Sequence, residues 1–400
     1  MNTHKAKVKI CFVTTVPFQV NVFLVKHILK LVEYVDIVII TNGNDHTICE
    51  LSPELNGQIR VCFVPFQRPI RPLRDIWSLL KLIHVLYRER PSIVQSMSPK
   101  AGLLCALAGW MLNLPIRVHW FTGQVWVNRQ GIARNVLKIL DALIAKLNTH
   151  LLADSPSQRD FLIQNSVAHI SKIEVLGSGS VCGVDVDRFQ PNSTLKSAVR
   201  KSHGIPDDGV LALFVGRVTP DKGVIELAQA LRILSEQGIE LHCLFVGPDE
   251  GNMAIPIKMA AGNAAKRIVM TGYSGIPETF MSAADFMVLP SYREGFGSTI
   301  IEAAACGVTT IGTRIYGIID AIQEGETGLL VEPRNPEQLA EAMRKLVIDR
   351  QYGSKLGIAA RMRVLANFRS ENLTEALVNY YDRLLRMANR TTHLNNTHKS

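Results

Sequence analysis

Short runs of hydrophobic residues alternate with longer amphipathic segments along the whole 400-residue chain. The short runs are rich in β-branched residues and predict buried strands, whereas apolar positions that recur every three or four residues predict helices. Strands are predicted in the first half at Ile10–Thr14, Val35–Ile40, Val61–Val64, Ile93–Gln95 and Ile116–Phe121, and in the second half at Leu211–Val215, Leu241–Val246, Ile268–Met270, Phe286–Leu289, Thr309–Gly312 and Leu329–Val331. Helices are predicted at Val22–Leu31, Arg74–Tyr87, Asn135–Leu147, Gly223–Gln237 and Pro336–Ile348. This alternation favours α/β domains with parallel sheets.

A polar stretch separates the two halves of the pattern. Residues Phe189 to Gly209 include Pro191, Gly204 and Pro206 among Asn, Ser and Asp, which is the composition of a linker. We therefore predict two Rossmann-like domains, over residues 1–190 and 205–370. A ligand would bind between them, at the carboxyl ends of the strands.

Composition places the chain among ordinary globular proteins. The seven cysteines are odd in number, lack a Cys-x-x-Cys spacing and mostly lie among apolar residues. This indicates reduced thiols in a cytoplasmic protein and neither a disulfide frame nor a zinc site. No apolar run reaches the roughly 18 residues of a membrane-spanning helix. The basic N-terminus leads into a first strand, so we do not expect a signal peptide.

Charge is distributed unevenly between the halves. Residues 1–200 carry 23 Lys and Arg against 13 Asp and Glu, a balance of +10, whereas residues 201–400 carry 21 against 22, a balance of −1. Without a nucleic-acid-binding motif, this basic half predicts an anionic membrane surface or a diphosphate acceptor as its partner. The segment Arg68–Trp77 combines cations with apolar residues and is the predicted contact. Inward packing of Trp77 on an ordinary solvated helix is the alternative.

The most informative motif is the segment 294–302, Glu-Gly-Phe-Gly-Ser-Thr-Ile-Ile-Glu. A strand is predicted to end just before it, and a helix is predicted from Ile300 to Cys306. Glycines at such a junction let free backbone N–H groups approach a ligand, and a helix N-terminus favours an anion. Glu302 lies on the same helix face as Ser298. Its carboxylate is suited to hydrogen-bonding a sugar diol, because it would repel a phosphate.

Two glutamates separated by seven residues, around a Gly-Phe-Gly turn, resemble the signature of the retaining glycosyltransferases of family 4. The resemblance implies the GT-B fold, in which two Rossmann-like domains face each other across a cleft. It also implies that the last helix, about residues 371–390, crosses back to the first domain, which binds the acceptor. The second domain would bind the nucleotide sugar. Within the motif, the donor would be held by Gly295, Phe296, Gly297, Ser298 and Thr299 at its diphosphate, by Glu302 at its ribose and by Glu294 at its sugar.

Two further motifs in the second half agree with this resemblance. Arg217 follows a predicted strand and Lys222 precedes the next predicted helix, so both cations could reach one diphosphate. The family holds the donor diphosphate with this Gly-Arg…Lys-Gly pattern, which implies that role for Arg217 and Lys222. In the family, strand-end loops like the one at Gly272 and Tyr273 meet the nucleobase, and an ordinary turn without a ligand stays open as the alternative. The resemblance implies a UDP-sugar as the usual donor, and GDP and ADP stay open.

His119 ends a strand in the first half, at a position where related transferases carry a polar residue near the donor sugar. A catalytic role and a purely structural role both stay open for this side chain. Asp185-Val186-Asp187 superficially matches a metal clamp, but its surroundings resemble a loop that precedes the linker in family 4 proteins. We expect no metal and no cofactor, because Arg217, Lys222 and the helix N-terminus supply the positive charge that a leaving diphosphate needs.

The start Thr-Thr-Val-Pro at 14–17 and the stretch Phe-Thr-Gly-Gln-Val-Trp at 121–126 resemble the subgroup that builds bacterial surface glycans. The usual glycine pair after the first strand is missing, so its backbone contact is in doubt. The resemblance implies transfer of a hexose or N-acetylhexosamine to an undecaprenyl-diphosphate-linked saccharide, for O-antigen, lipopolysaccharide or capsule, by a peripheral protein on the cytoplasmic face of the inner membrane.

Two alternatives stay open. A GT-B epimerase or phosphorylase would share the fold, but the basic first half argues against it. A non-catalytic partner of another transferase is disfavoured because Glu294, Arg217 and Lys222 are all present.

Overall fold

The computed structural model describes residues 8–44, 51–67 and 71–397, with side chains described as far as Ala388. The chain divides into two compact units. The first consists of Met1–Thr122, Arg129–Cys182 and Ser370–Ser400, and the second of Gly123–Asn128 and Gly183–Arg369. Each unit contains one parallel sheet, so the predicted α/β class with two Rossmann-like sheets is confirmed.

The strands follow the hydrophobic pattern closely. The first unit contains β1 (Lys9–Val13), β2 (Asp36–Thr41), β3 (Arg60–Phe63), β4 (Ile93–Met97), β5 (Ile116–Phe121), β6 (His150–Ala153) and β7 (Ile173–Val175). The second contains β8 (Leu211–Val215), β9 (His242–Val246), β10 (Ile268–Gly272), β11 (Phe286–Leu289), β12 (Thr309–Thr313) and β13 (Gly328–Val331). Their orders are β3-β2-β1-β4-β5-β6-β7 and β10-β9-β8-β11-β12-β13. Both orders reverse direction beside the first strand of the unit, as in nucleotide-binding folds.

Most helices connect consecutive strands, and the last three follow β13. They are α1 (Pro17–Phe23), α2 (Val25–Leu31), α3 (Pro72–Glu89), α4 (Pro99–Met111), α5 (Gly131–Leu147), α6 (Pro156–Gln164), α7 (Ser193–Ser202), α8 (Val224–Glu236), α9 (Ala254–Ala261), α10 (Pro277–Ala283), α11 (Ser298–Ala305), α12 (Ile318–Ala321), α13 (Pro336–Ile348), α14 (Arg350–Asn367) and α15 (Ser370–Thr397). The single helix predicted over Val22–Leu31 is wrong, because α1 and α2 meet at Leu24. The helix predicted from Ile300 begins two residues earlier, at Ser298.

Alternate residues of β1 enter two separate cores in the first unit. Ile10 and Phe12 belong to a cluster with α1, α2 and α15, whereas Cys11 and Val13 belong to a cluster with α3 and α4. This division follows from the two-residue period of a strand. Helix α4 also packs against α5, so α3, α4 and α5 form one layer on the second face of the sheet.

Helix α15 completes the first unit. Leu373, Leu377, Tyr381 and Leu384 are buried at helical spacing in the core shared with α1 and α2. The hydroxyl of Tyr381 donates a 2.7 Å hydrogen bond to Oε1 of Gln95 on β4. The predicted return of the last helix to the first domain is therefore confirmed.

Other expectations concern thiols and the membrane. The six cysteines in the described part of the chain are all free, and Cys49 lies outside it. None of the described helices is long and apolar enough to cross a membrane. In the predicted membrane segment, residues 68–70 lie outside the described residues. Trp77 is 56% exposed, so the alternative in which it packs inward is wrong.

Candidate active site

Two loops meet at the point where the second sheet reverses its strand order. They follow the adjacent strands β8 and β11, and such a position is where open α/β sheets bind ligands. Gly223 has φ of +68°, and a Cβ there would lie 2.0 Å from the carbonyl oxygen of Pro290. Only glycine permits this approach, which holds the loop carrying Lys222 against the loop carrying Glu294.

The Glu-Gly-Phe-Gly turn leads directly into α11. Gly297 has φ of +83° and ψ of 57° and precedes the first helical residue. Phe296 is buried and lies 5.3 Å from the ring of Phe368, which anchors the turn. In the described part of the chain, the backbone N–H groups of residues 295–299 donate to no protein acceptor. Five adjacent unpaired amides at the start of a helix favour an anion.

The two predicted cations have carboxylate partners. Nζ of Lys222 lies 2.5 Å from Oε1 of Glu294, and both side chains are largely buried. Arg217 instead pairs with Glu250 at 3.0 Å, and its side chain is 47% exposed. Such an exposed pair contributes little to stability, so Arg217 is available to a ligand at small cost. The buried Lys222–Glu294 pair fixes both groups beside the amides of the turn.

Asp221 orients the loop that carries Lys222. Oδ1 of Asp221 accepts a 2.6 Å hydrogen bond from the Thr219 hydroxyl, and Oδ2 lies 3.2 Å from Nη2 of Arg293. Its backbone carbonyl accepts the N–H of Tyr292 at 2.9 Å. These contacts connect the loop after β8 to the loop after β11 a second time.

Glu302 lies one turn into α11 and is close to a further ion pair. Burial raises the pKa of its carboxyl to about 7, and Glu278 raises it further, whereas Arg188 acts in the opposite direction. Arg188 donates to Oε2 of Glu278 at 2.8 Å and to the carbonyl of Gly275 at 2.7 Å. Glu302 is thus a largely buried carboxyl whose nearby cation is already paired, so it has hydrogen-bonding capacity for a ligand.

The predicted nucleobase loop follows β10. The carbonyl of Gly272 accepts the N–H of Gly247 at 2.8 Å, which joins the loops after β9 and β10. Tyr273 is 67% exposed, so its ring is accessible to a ligand.

His119 lies in the first unit, two residues before the end of β5. Its Nδ1 is 2.9 Å from the Ser96 hydroxyl, and its ring packs edge-on to Phe121 at 4.6 Å. A Cβ at Gly102 of α4 would come within 2.3 Å of the imidazole, so the helix lies directly on the ring. Burial lowers the pKa of His119 to about 3, and the imidazole is neutral at physiological pH.

The loop after β1, which lacks the usual glycines, also lies in the first unit. The hydroxyls of Thr15 and Ser98 are 2.6 Å apart, and the N–H of Thr15 donates to the side chain of Gln19 at 3.1 Å. Ser98 has φ of +75°, an uncommon value for a residue with a Cβ. Hydroxyls therefore occupy the switch point of this sheet.

Within the second unit, the structure brings Lys222 and Glu294 together, whereas Arg217 pairs with Glu250. Sequence reasoning missed Glu250, Arg188 and Glu278. Arg188 lies in the loop that contains Asp185 and Asp187, but neither glutamate belongs to a motif. In that loop, Oδ1 of Asp185 accepts the N–H groups of Asp187 and Arg188 at 3.2 and 3.3 Å. Over the described ranges, no group of three or more potential metal-binding side chains occurs.

Known proteins share sequence with both units of the chain. A sequence profile described as "Glycosyl transferases group 1" matches residues 196–363, and one described as "Glycosyl transferase 4-like domain" matches residues 33–179. The chain is 32% identical over 325 residues to the capsular polysaccharide biosynthesis glycosyltransferase CapM of Staphylococcus aureus, covering 81% of this chain and 85% of that protein. It is 26% identical to an Escherichia coli UDP-Gal:alpha-D-GlcNAc-diphosphoundecaprenol alpha-1,3-galactosyltransferase, covering 75% and 78%. A D-inositol 3-phosphate glycosyltransferase of Streptomyces avermitilis is 31% identical over 52% of this chain and 47% of its own.

Solved structures share the fold. Sucrose-phosphate synthase from Thermosynechococcus elongatus superposes with a TM-score of 0.79 at 20% identity, covering 95% of this chain and all of that one. Anabaena HepE in complex with UDP and glucose also gives 0.79, at 16% identity, covering 94% and 99%.

Proposed function

We propose, on the premise that this chain belongs to the group 1 glycosyl transferases, that it transfers a hexose or N-acetylhexosamine from a nucleotide diphosphate with retention of configuration. Membership of the family makes the chain a glycosyltransferase of the GT-B type. The donor, the acceptor and the stereochemical course are our proposal. One observation carries it: the five unpaired amides of residues 295–299 lie in the same loop cluster as Lys222.

The proposed donor site binds the diphosphate at these amides. Arg217 would leave Glu250 for the ligand, which costs little because that pair is exposed. Lys222 is held close to the turn by Glu294, so its charge is in place before the donor arrives. Preorganised donors of this kind stabilise a charge that grows as the glycosidic bond breaks, by roughly 3–4 kcal/mol each.

Other donor groups are assigned by their chemistry. Glu302 would accept hydrogen bonds from the ribose hydroxyls, and Tyr273 would contact the base, which is uracil in the donor named for the Escherichia coli relative. Glu294 would orient the hydroxyls of the donor sugar with its second carboxylate oxygen. A neutral His119 would donate or accept a hydrogen bond to the sugar, and its low pKa argues against an imidazolium that steadies charge.

Retention requires no protein nucleophile in this proposal. The acceptor hydroxyl attacks from the face that the diphosphate leaves, and the departing phosphate oxygen takes its proton. The anomeric carbon exchanges one C–O bond for another, so atoms and charges balance. Excluding water matters, because water is the competing acceptor.

The proposed acceptor is a saccharide on a lipid diphosphate, at the cytoplasmic face of a bacterial membrane. The basic first half of the chain and the acceptor named for the Escherichia coli relative support this. An inositol phosphate is the second candidate for the acceptor, because several similar proteins are named as D-inositol 3-phosphate glycosyltransferases.

Purified protein incubated with UDP-, GDP- and ADP-sugars tests both parts. We expect nucleotide diphosphate release with one UDP-sugar and a polyprenyl-diphosphate saccharide. Lys222→Ala should abolish release, whereas Lys258→Ala, which removes an exposed lysine of α9, should not. Release with inositol phosphate alone would replace the lipid acceptor. Equal turnover of Lys222→Ala and wild type would refute the diphosphate site.

A further inference from the structure

One surface of the first unit has no role in the donor chemistry. The outer face of α3 presents Leu73, Ile76, Trp77 and Leu80 to solvent, with exposed fractions of 85%, 55%, 56% and 54%. Their spacing places them on one helix face. The inner face of the same helix is also apolar, with Leu82 and Leu86 fully buried. Helix α3 is therefore hydrophobic on two opposite sides, and only one of them is covered.

Helix α5 repeats this arrangement. Ile132, Val136 and Ile139 are 82%, 48% and 65% exposed, again at helical spacing, whereas Ile144 is buried. Between α3 and α5 lies α4, whose Leu103 and Leu107 are only partly buried. We call the exposed apolar residues of α3 and α5 the α3–α5 patch.

The two stripes lie at the same end of the helix layer. Helices α3 and α5 each follow a strand of one parallel sheet, so both begin at its carboxyl edge and run back along it. With α4 between them, their axes are about 20 Å apart at the usual 8–10 Å per helix pair. Two exposed apolar stripes on one helix layer of a folded protein indicate an interaction site.

Charge identifies the partner. Arg71, Arg74 and Lys81 are exposed around the α3 stripe, and Arg129 and Arg134 are exposed around the α5 stripe. The acidic residues of the two helices do not offset them at the surface. Asp75 pairs with Lys100 at 2.8 Å, Glu89 pairs with Lys9 at 2.9 Å, and Asp141 is buried.

The tryptophan supports a bilayer rather than a protein partner. Nζ of Lys81 lies 5.6 Å from the centroid of the Trp77 ring, so an amphipathic ring and a cation occupy the same level of the surface. Tryptophan beside lysine is typical of the headgroup layer of a membrane.

We propose that the α3–α5 patch docks the first unit on an anionic bilayer, with both apolar stripes inserted and the flanking cations in the headgroups. The reason for docking rests on the proposed lipid-linked acceptor, whereas the exposed residues and charges of the patch do not depend on it. Docking in this orientation turns the carboxyl edge of the first sheet, where Ser98 and His119 lie, towards the membrane. A lipid-linked diphosphate would then reach that edge without leaving the bilayer.

Vesicle flotation of the full chain tests this proposal. Wild type should float with vesicles of phosphatidylethanolamine and phosphatidylglycerol and not with phosphatidylcholine alone. Binding should fall as salt is raised from about 0.1 M to about 1 M, because the screening length shrinks from about 10 Å to about 3 Å. Arg71→Gln with Arg74→Gln should lower the partition constant about 25-fold, at about fivefold for each cation.

The α5 stripe provides the sharper test, because only the tertiary structure shows that it is exposed. Ile132→Ser with Ile139→Ser should weaken flotation at least tenfold. Ile255→Ser with Met259→Ser is the matched control, since these α9 residues of the second unit are 71% and 77% exposed. The control should float like wild type. Brominated lipids should quench fluorescence in wild type and lose that quenching in Trp77→Phe.

The outcomes separate docking from catalysis. The proposal is supported if patch variants lose flotation but keep turnover with a short, water-soluble acceptor. It is also supported if flotation depends on the patch in a protein that is inactive with every lipid acceptor. Wild-type flotation of both patch variants would overturn it, as would a wild type that ignores anionic vesicles. Patch-dependent dimerisation without flotation would also overturn it and make the surface a contact between copies.

Discussion

Replacing Glu302 by glutamine should stabilise the protein while weakening donor binding. Burial holds the pKa of this carboxyl near 7, so the folded state binds a proton that the unfolded state, at the ordinary value of 4.5, releases. An acid whose pKa is raised by folding costs stability as pH increases. The cost begins near pH 4.5, grows to about pH 7 and is then constant. Glutamine has nearly the same shape and carries no charge at any pH.

The magnitude follows from the pKa. Raising it from 4.5 to about 7 corresponds to roughly 3 kcal/mol at 1.36 kcal/mol per pKa unit. Because the Glu302 side chain keeps some contact with solvent, we discount this to about 1–2 kcal/mol. For a unit of this size, 1 kcal/mol shifts Tm by about 2–4 °C. Glu302→Gln should therefore raise the Tm of the second unit by about 2–8 °C at pH 8 and leave it nearly unchanged at pH 4.5.

Calorimetry at several pH values measures this difference. Glu326→Gln is the control, because it removes the same charge from an exposed side chain and should leave Tm unchanged. UDP titration of Glu302→Gln at pH 8 should show a Kd raised about tenfold, since hydrogen bonds to a charged acceptor contribute about 1.5–3 kcal/mol. If the difference in Tm between Glu302→Gln and wild type is the same at pH 8 as at pH 4.5, the burial argument is refuted. Unchanged UDP affinity would remove Glu302 from the ribose.

Four further results are expected. Gly223→Ala should lower stability by about 2–4 kcal/mol, because its Cβ would meet the Pro290 carbonyl, whereas Gly238→Ala, with φ of +75° and open space around it, should cost only about 1 kcal/mol in the same melting assay. The NMR resonances of His119 should not titrate between pH 5 and 9, because its pKa is about 3; a titration midpoint near 6.5 would contradict its burial. Transfer should persist in EDTA, and loss reversed by manganese would implicate Asp185. The product should keep the anomeric configuration of the donor, which its NMR coupling constants report.

The sequence by itself determined the features that depend on near neighbours. All eleven predicted strands are present, because a buried parallel strand requires a continuous apolar run whatever surrounds it. The Glu-Gly-Phe-Gly turn before α11 was equally predictable, since a left-handed residue at the helix start demands glycine. Strands β6 and β7 are four and three residues long and are too short for a period to be recognised.

The tertiary structure alone decided which groups meet. Lys222 and Glu294 are 72 residues apart, and Arg217 is nearer in sequence to Lys222 than to its partner Glu250. No local pattern encodes these pairs, because they depend on how β8, β9 and β11 lie side by side. The pKa of Glu302 likewise depends on burial within the folded second unit. Whether Trp77 faces the solvent or the core was equally undecided, since α3 is apolar on two sides and packing selects which side is covered.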